Sequence, residues 1–166
     1  VLGGGAIGLT TALVLAMEGA GEVRVAETNA ARRATITRQD GIAAYAPGEP
    51  GEPAAGTADV VFDAVGADAT RAAACQLIRP GGTIVHIGLL PGTGGLDVRR
   101  LTLQEITFIG SYCYTMVDFR EAVRAIASGR LGALDWYEER PLREGGRAFA
   151  DLDAGKVSAA KIVLRP

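Results

Sequence analysis

An α/β fold built on a doubly wound parallel sheet, with helices on both faces, is predicted for this 166-residue chain by three observations. Short apolar or β-branched runs alternate with helical segments along most of the chain, the pattern of parallel strands joined by crossover helices. Glycines recur as Gly3-x-Gly5-x-x-Gly8 where a stub of strand turns into the first helix. The strand that follows ends in an acid, Glu27, 19 residues beyond Gly8.

The elements follow in order. Ala6 to Met17 (AIGLTTALVLAM) is apolar nearly all round and free of proline, as suits a helix packed against a sheet. Glu22 to Ala26 alternates as a strand, Asn29 to Gln39 reads as a polar helix, and Ile42 to Tyr45 as another strand. Pro47 to Gly56 is a Pro/Gly-rich loop. Asp59 to Val65 reads as a buried strand, Asp68 to Leu77 as a helix, Thr83 to Ile87 as a strand and Pro91 to Gly95 as a loop. Ile106 to Ile109 is a strand and Asp118 to Ser128 a helix, stopped at Gly129. After Gly129 the rhythm changes: Leu134 to Pro141, a helix over Arg143 to Asp153, and Ala160 to Leu164 make a terminal β-α-β unit. Two parts are therefore expected, residues 1–130 and residues 131–166. The chain opens on Val1-Leu2-Gly3, a truncated first strand, and is expected to be a piece of something longer.

Composition narrows the partners. With Lys+Arg 17 against Asp+Glu 19 the net charge is −2, so no broad basic face invites nucleic acid or anionic lipid. No apolar run reaches the ~18 residues of a membrane span, and no signal-peptide pattern opens the chain. Two cysteines, Cys75 and Cys113, cannot build a disulfide framework, which points to a reducing, cytoplasmic setting.

The glycine spacing has a physical meaning. Gly3 turns the chain sharply off the strand, Gly5 lets backbone approach a pyrophosphate, and Gly8 lets helix and strand pack closely. The helix N-terminus then offers free N–H groups and the positive end of its dipole. Glu27 stands where an acid accepts hydrogen bonds from an adenine-ribose 2′-hydroxyl and repels a 2′-phosphate. Together these indicate a Rossmann-type dinucleotide site, with NAD favoured over NADP, although Arg32 and Arg33 lie close enough to neutralise a 2′-phosphate.

Other chemistry lacks its parts. His86, Cys75 and Cys113 are isolated, without the spacing of a zinc site, so no metal ligand is assigned. There is no Gly-x-Ser-x-Gly elbow, and Gly92 to Gly95 (GTGG) lacks the Lys-Ser/Thr that completes a phosphate loop. Asp59, Asp63 and Asp68 cluster around one strand, as cation ligands or as strand-end acids and helix caps. Tyr112 and Tyr114 share one face of an extended segment, for contact or for core.

Four segments, VLGGGAIGL (1–9), ADVVFDAVG (58–66), LIRPGGTIVHIGL (77–89) and EITFIGSYCYTMVDFREAVRAIASGRL (105–131), resemble the cofactor half of the medium-chain dehydrogenase/reductase superfamily. The closing PLREGGRAFADLDAGKVSAAKIVLRP (141–166) resembles its C-terminal return to the catalytic domain. Within it, Glu27 and the Gly-Ser-Tyr segment look most like zinc-type alcohol and polyol dehydrogenases of the sorbitol- and threonine-dehydrogenase kind. The resemblance implies hydride transfer between a secondary alcohol and NAD, with the catalytic zinc held by a domain outside this chain. It places Gly5, Ala6, Ile7 and Gly8 on the pyrophosphate, and Glu27 with Arg32 on the adenine ribose. Ala64 and Val65 would flank the cofactor, Ile87, Gly88 and Leu89 would meet the nicotinamide, and its carboxamide would bond backbone near Thr107 and Ile109. Lys161 would lie near the pyrophosphate. A homodimer or tetramer through the sixth strand is implied too. The chain alone is expected to bind cofactor without turnover. The rival readings are a zinc-free NADPH-dependent quinone or enoyl reductase and a non-catalytic NAD-sensing module.

Overall fold

The computed structural model describes residues 1–166. The strands are β1 (Val23–Ala26), β2 (Ile42–Tyr45), β3 (Ala58–Asp63), β4 (Ile78–His86), β5 (Thr107–Gly110), β6 (Tyr137–Pro141) and β7 (Lys161–Arg165). The helices are α1 (Ala6–Met17), α2 (Ala30–Thr37), α3 (Asp68–Leu77), α4 (Val98–Leu103), α5 (Met116–Ala127) and α6 (Gly145–Asp153), with one 3-10 turn at Leu142–Glu144. Every strand pairing is parallel. β1 pairs with β2, and β3, β4 and β5 form a three-stranded sheet. Leu2 bridges to both Ala26 and Asp63, which joins the two sheets through the stub. Counted with that stub, the spatial order is 3-2-1-4-5-6, that of a Rossmann-type dinucleotide fold.

The alternation of side chains along each strand feeds two cores. Leu9, Ala12 and Leu13 of α1 and Ile36 of α2 pack with Val23, Val25 and Ile42 on one face. On the other, Ala74, Cys75 and Leu77 of α3 pack with Leu2, Val61, Ile78 and Ile84. Leu131 and Trp136 join the first core, so the chain beyond Gly129 is anchored there before it forms the separate β6–β7 pair.

Three differences from the sequence reading have physical causes. β4 begins at Ile78 rather than Thr83, because Ile78 still pairs with Ala58 before an irregularity carries the strand across Pro80-Gly81-Gly82. Helix α4 has no counterpart in that reading: it spans six residues, too short for a periodic signal, and Asp97 caps it by accepting from the Arg100 N–H. Of the two terminal strands only the first is shorter than expected, β6 starting at Tyr137, while β7 keeps five residues shifted by one. No helix is long and apolar enough to cross a membrane.

Candidate cofactor site

A groove of about 880 Å³ runs along the carboxyl ends of the strands on both sides of the stub, where the strand order reverses. Its floor is the glycine turn. Gly3 adopts a left-handed conformation (φ +92°), and a methyl group on Gly8 would overlap the Gly3 carbonyl, so both positions demand glycine. Gly5 differs: its backbone is extended and no atom lies within 4 Å of where a Cβ would stand. That open space faces the groove. No side chain caps α1 and no acid occupies its first turn, so its leading N–H groups stay available to an anion.

On the β1 side, Glu27 is buried. Its Oε2 accepts from the Gly4 N–H at 3.0 Å and from Arg32 Nη1 at 3.2 Å, and its Oε1 accepts from the Asn29 N–H at 2.8 Å. The carboxylate thus ties the glycine turn to the start of α2, and a side chain at Gly4 would run into it. Arg33 is turned away, with Nη1 donating to the carbonyls of Glu27 and Thr28. Arg32 keeps one buried donor, Nε, without a partner. The uncapped α1 amides fit a ligand rich in oxygen acceptors.

On the β3–β4 side, Ala64, Val65, Leu89 and Leu90 form an apolar wall. Its backbone is set by Asp63, fully buried, whose Oδ1 accepts from the N–H groups of Val65 and Gly66 and whose Oδ2 accepts from the Thr70 hydroxyl. The Asp63 carbonyl accepts from both Ile87 and Gly88. Gly66 and Gly88 meet backbone to backbone, with no room for a Cβ at either.

The groove gathers Gly3, Gly5, Ala6, Ile7, Gly8, Glu27, Arg32, Ala64, Val65 and Leu89 from the sequence-derived set. Ile87 and Gly88 lie behind its wall, Thr107 and Ile109 lie on β5, and Lys161 opens β7, so these five do not line it. Residues not singled out in the sequence also line it, notably Tyr45, Thr70 and Leu90. Thr70 carried a signal, since a hydroxyl at the third position of a helix closes a cap and here accepts from the Ala67 N–H.

The aspartates go separate ways: Asp59 pairs with Arg79, Asp68 with Arg71, and Asp63 holds backbone, as strand-end acids and caps do. His86 Nε2 lies 3.6 Å from Asp63 Oδ2 without a hydrogen bond. Cys75 is buried in the core, whereas Cys113, Tyr112 and Tyr114 are exposed.

Residues 6–128 match the family described as zinc-binding dehydrogenase. The chain belongs to that family. It is 30% identical over 182 residues to the (R,R)-butanediol dehydrogenase of Saccharomyces cerevisiae, a match covering 100% of this chain and 47% of that protein. It is 34% identical over 74 residues to sorbitol dehydrogenase 1 of the same yeast, covering 45% of this chain and 21% of that one. A protein of Sinorhizobium meliloti 1021, described as a zinc-binding dehydrogenase and solved bound to NADP, superposes with a TM-score of 0.78 at 26% identity, over 90% of this chain and 47% of its own. The chain thus spans about half or less of the length of these relatives. Zinc itself finds no site among its residues: no three His, Cys, Asp or Glu side chains gather as a metal-holding group.

Proposed function

We propose that this chain is the NAD-binding part of a dehydrogenase that passes a hydride between a secondary alcohol or polyol and the nicotinamide ring. The observation that carries this reading is Glu27. A buried carboxylate at the end of β1, fixed by two backbone N–H groups and Arg32, meets a ribose hydroxyl favourably and a 2′-phosphate unfavourably. Arg33, spent on two carbonyls, is not free to offset that repulsion. The bound nicotinamide supplies the hydride acceptor and donor. This chain's residues bind and orient it: the α1 amides take the pyrophosphate, Glu27 and Arg32 the adenine ribose, and Val65, Leu89 and Leu90 shield the ring end from water. Ile87, Gly88, Thr107, Ile109 and Lys161 remain proposed cofactor contacts that lie outside the lining of the groove.

The alcohol pocket and the zinc that the family name implies would belong to residues outside this chain. Residues 1–130 would form the cofactor unit and 131–166 the return to the catalytic part. The unpaired edge of β5 is proposed as the seam of a homodimer or tetramer. The two free thiols agree with a cytoplasmic setting.

The second reading, an NADPH-dependent reductase, has in its favour the unpartnered Nε of Arg32 and the NADP-bound relative. Titrating the chain with NADH and NADPH separates them. NADH is expected to bind at least about tenfold more tightly, and Glu27→Gln to narrow that gap by about tenfold, the worth of one charge-assisted hydrogen bond. Tighter binding of NADPH by the unaltered chain would overturn the NAD reading.

A further inference from the structure

We infer that Arg71 is a positioning residue for the nicotinamide end of the groove, acting with Asp68 as a clamp on the Leu89–Gly95 loop. The inference rests on the NAD reading above. Arg71 sits one turn into α3 and is buried, yet it does not line the groove. Each of its three guanidinium nitrogens donates one hydrogen bond, two to backbone carbonyls and one to an acid. Nε donates to the Gly94 carbonyl at 2.5 Å, Nη1 donates to the Gly66 carbonyl at 2.7 Å, and Nη2 pairs with the Asp68 carboxylate. Asp68 Oδ1 in turn accepts from the Gly94 N–H at 3.1 Å.

The two carbonyls belong to the two loops that build the apolar wall. Gly66 closes the turn after β3 that presents Ala64 and Val65, and Gly94 lies in the loop after β4 that presents Leu89 and Leu90. One planar, fork-shaped cation therefore fixes the spacing between both halves of the wall, a task that a point-charged lysine head cannot copy. The GTGG run, without the lysine of a phosphate loop, finds its use here. A methyl on Gly92 would overlap the Asp68 carboxylate and one on Gly95 the Asp68 carbonyl, so glycine brings this backbone against the clamp. Apart from the clamp, the loop is tied to the β3 turn by the Ile87 and Gly88 amides on Asp63 and by a longer bond, 3.3 Å, from Leu90 to Val65. Leu89 and Leu90 are themselves exposed, so packing does not hold them. A wall set in advance lowers the ordering cost of binding at that end and leaves the adenine end untouched.

The test compares NADH with ADP, which fills the adenine end and lacks the nicotinamide riboside, by calorimetric titration of the 166-residue chain and its variants. The unaltered chain is expected to bind NADH more tightly than ADP. Arg71→Met, which keeps the apolar stem, should weaken NADH about tenfold and leave ADP within about twofold. Arg71→Lys should stay weakened. If Arg71→Met does not fold, Asp68→Asn at an exposed carboxylate carries the same comparison, with about a threefold loss for NADH alone. Equal loss for both ligands, or no loss for either, overturns the clamp. Failure of the unaltered chain to bind either nucleotide overturns the NAD reading, and the clamp falls with it.

Discussion

Replacing Gly5 with alanine should separate cofactor binding from folding. The Gly5 backbone is extended (φ −71°, ψ −172°) and a Cβ there meets nothing within 4 Å, so alanine fits the folded chain without strain. As the N-cap of α1, alanine is poorer than glycine by roughly 0.5–1 kcal/mol. Restriction of the unfolded chain returns roughly 0.4–1 kcal/mol. The two nearly cancel, and Tm should move by no more than about 2 °C. The added methyl nevertheless fills the space through which a pyrophosphate approaches the α1 amides. Crowding of that kind costs roughly 1–3 kcal/mol, or about 5- to 150-fold in Kd for NADH. Gly8→Ala is the contrast. Its methyl would overlap the Gly3 carbonyl and push α1 off the stub, so both stability and binding should fall, stability by about 2 kcal/mol or more. Thermal melts paired with NADH titrations read both quantities. A Gly5→Ala chain that binds NADH as tightly as the original would refute the placement of the pyrophosphate, and one that loses several degrees of Tm would refute the open space.

Two further outcomes follow from the same geometry. Leu2→Ala removes the buried side chain of the residue that bridges both half-sheets and should cost roughly 2–5 kcal/mol, measured by urea denaturation; a loss below about 1 kcal/mol would mean that the stub does not unite the sheet. The hydrogen bond from Arg140, with Arg147 and Lys156 adding to it, holds the Asp151 carboxyl below its ordinary range. A carboxyl depressed in the folded chain stabilises above its unfolded value of about 3.9, and that stability is lost as pH falls through the lower folded value. Protection factors of amides in the β6–α6–β7 unit should therefore hold near neutrality and fall only below about pH 4, whereas a fall already at pH 6 would exclude this pair as the cause.

The parts legible in the sequence are those whose cause is local. Ala6–Met17 and Asp68–Leu77 are bounded by glycine or by capping geometry, and both helices have the limits read from the sequence. Glu27 was legible because the fingerprint fixes its distance from Gly8. What escaped depends on partners distant along the chain. Ile78 is strand because Ala58 lies beside it, against the breaking tendency of Pro80-Gly81-Gly82. Arg71 has no local signature: its role needs Gly66 and Gly94 brought together by two different strands. The GTGG run likewise reads as a loop until Asp68 is seen beneath it.

The stub has a mechanical consequence. Val1, Leu2 and Gly3 carry hydrogen bonds to both β1 and β3. Glu27 and Arg32 ride on one half, Val65 and Leu89 on the other. In the proposed reading a dinucleotide lying along the groove touches both halves, so its binding stabilises their register. At a free concentration 100 times Kd that is worth about 2.7 kcal/mol. Under the proposed reading, melting of this chain should therefore rise with saturating NADH: the bound dinucleotide becomes a structural member of the sheet.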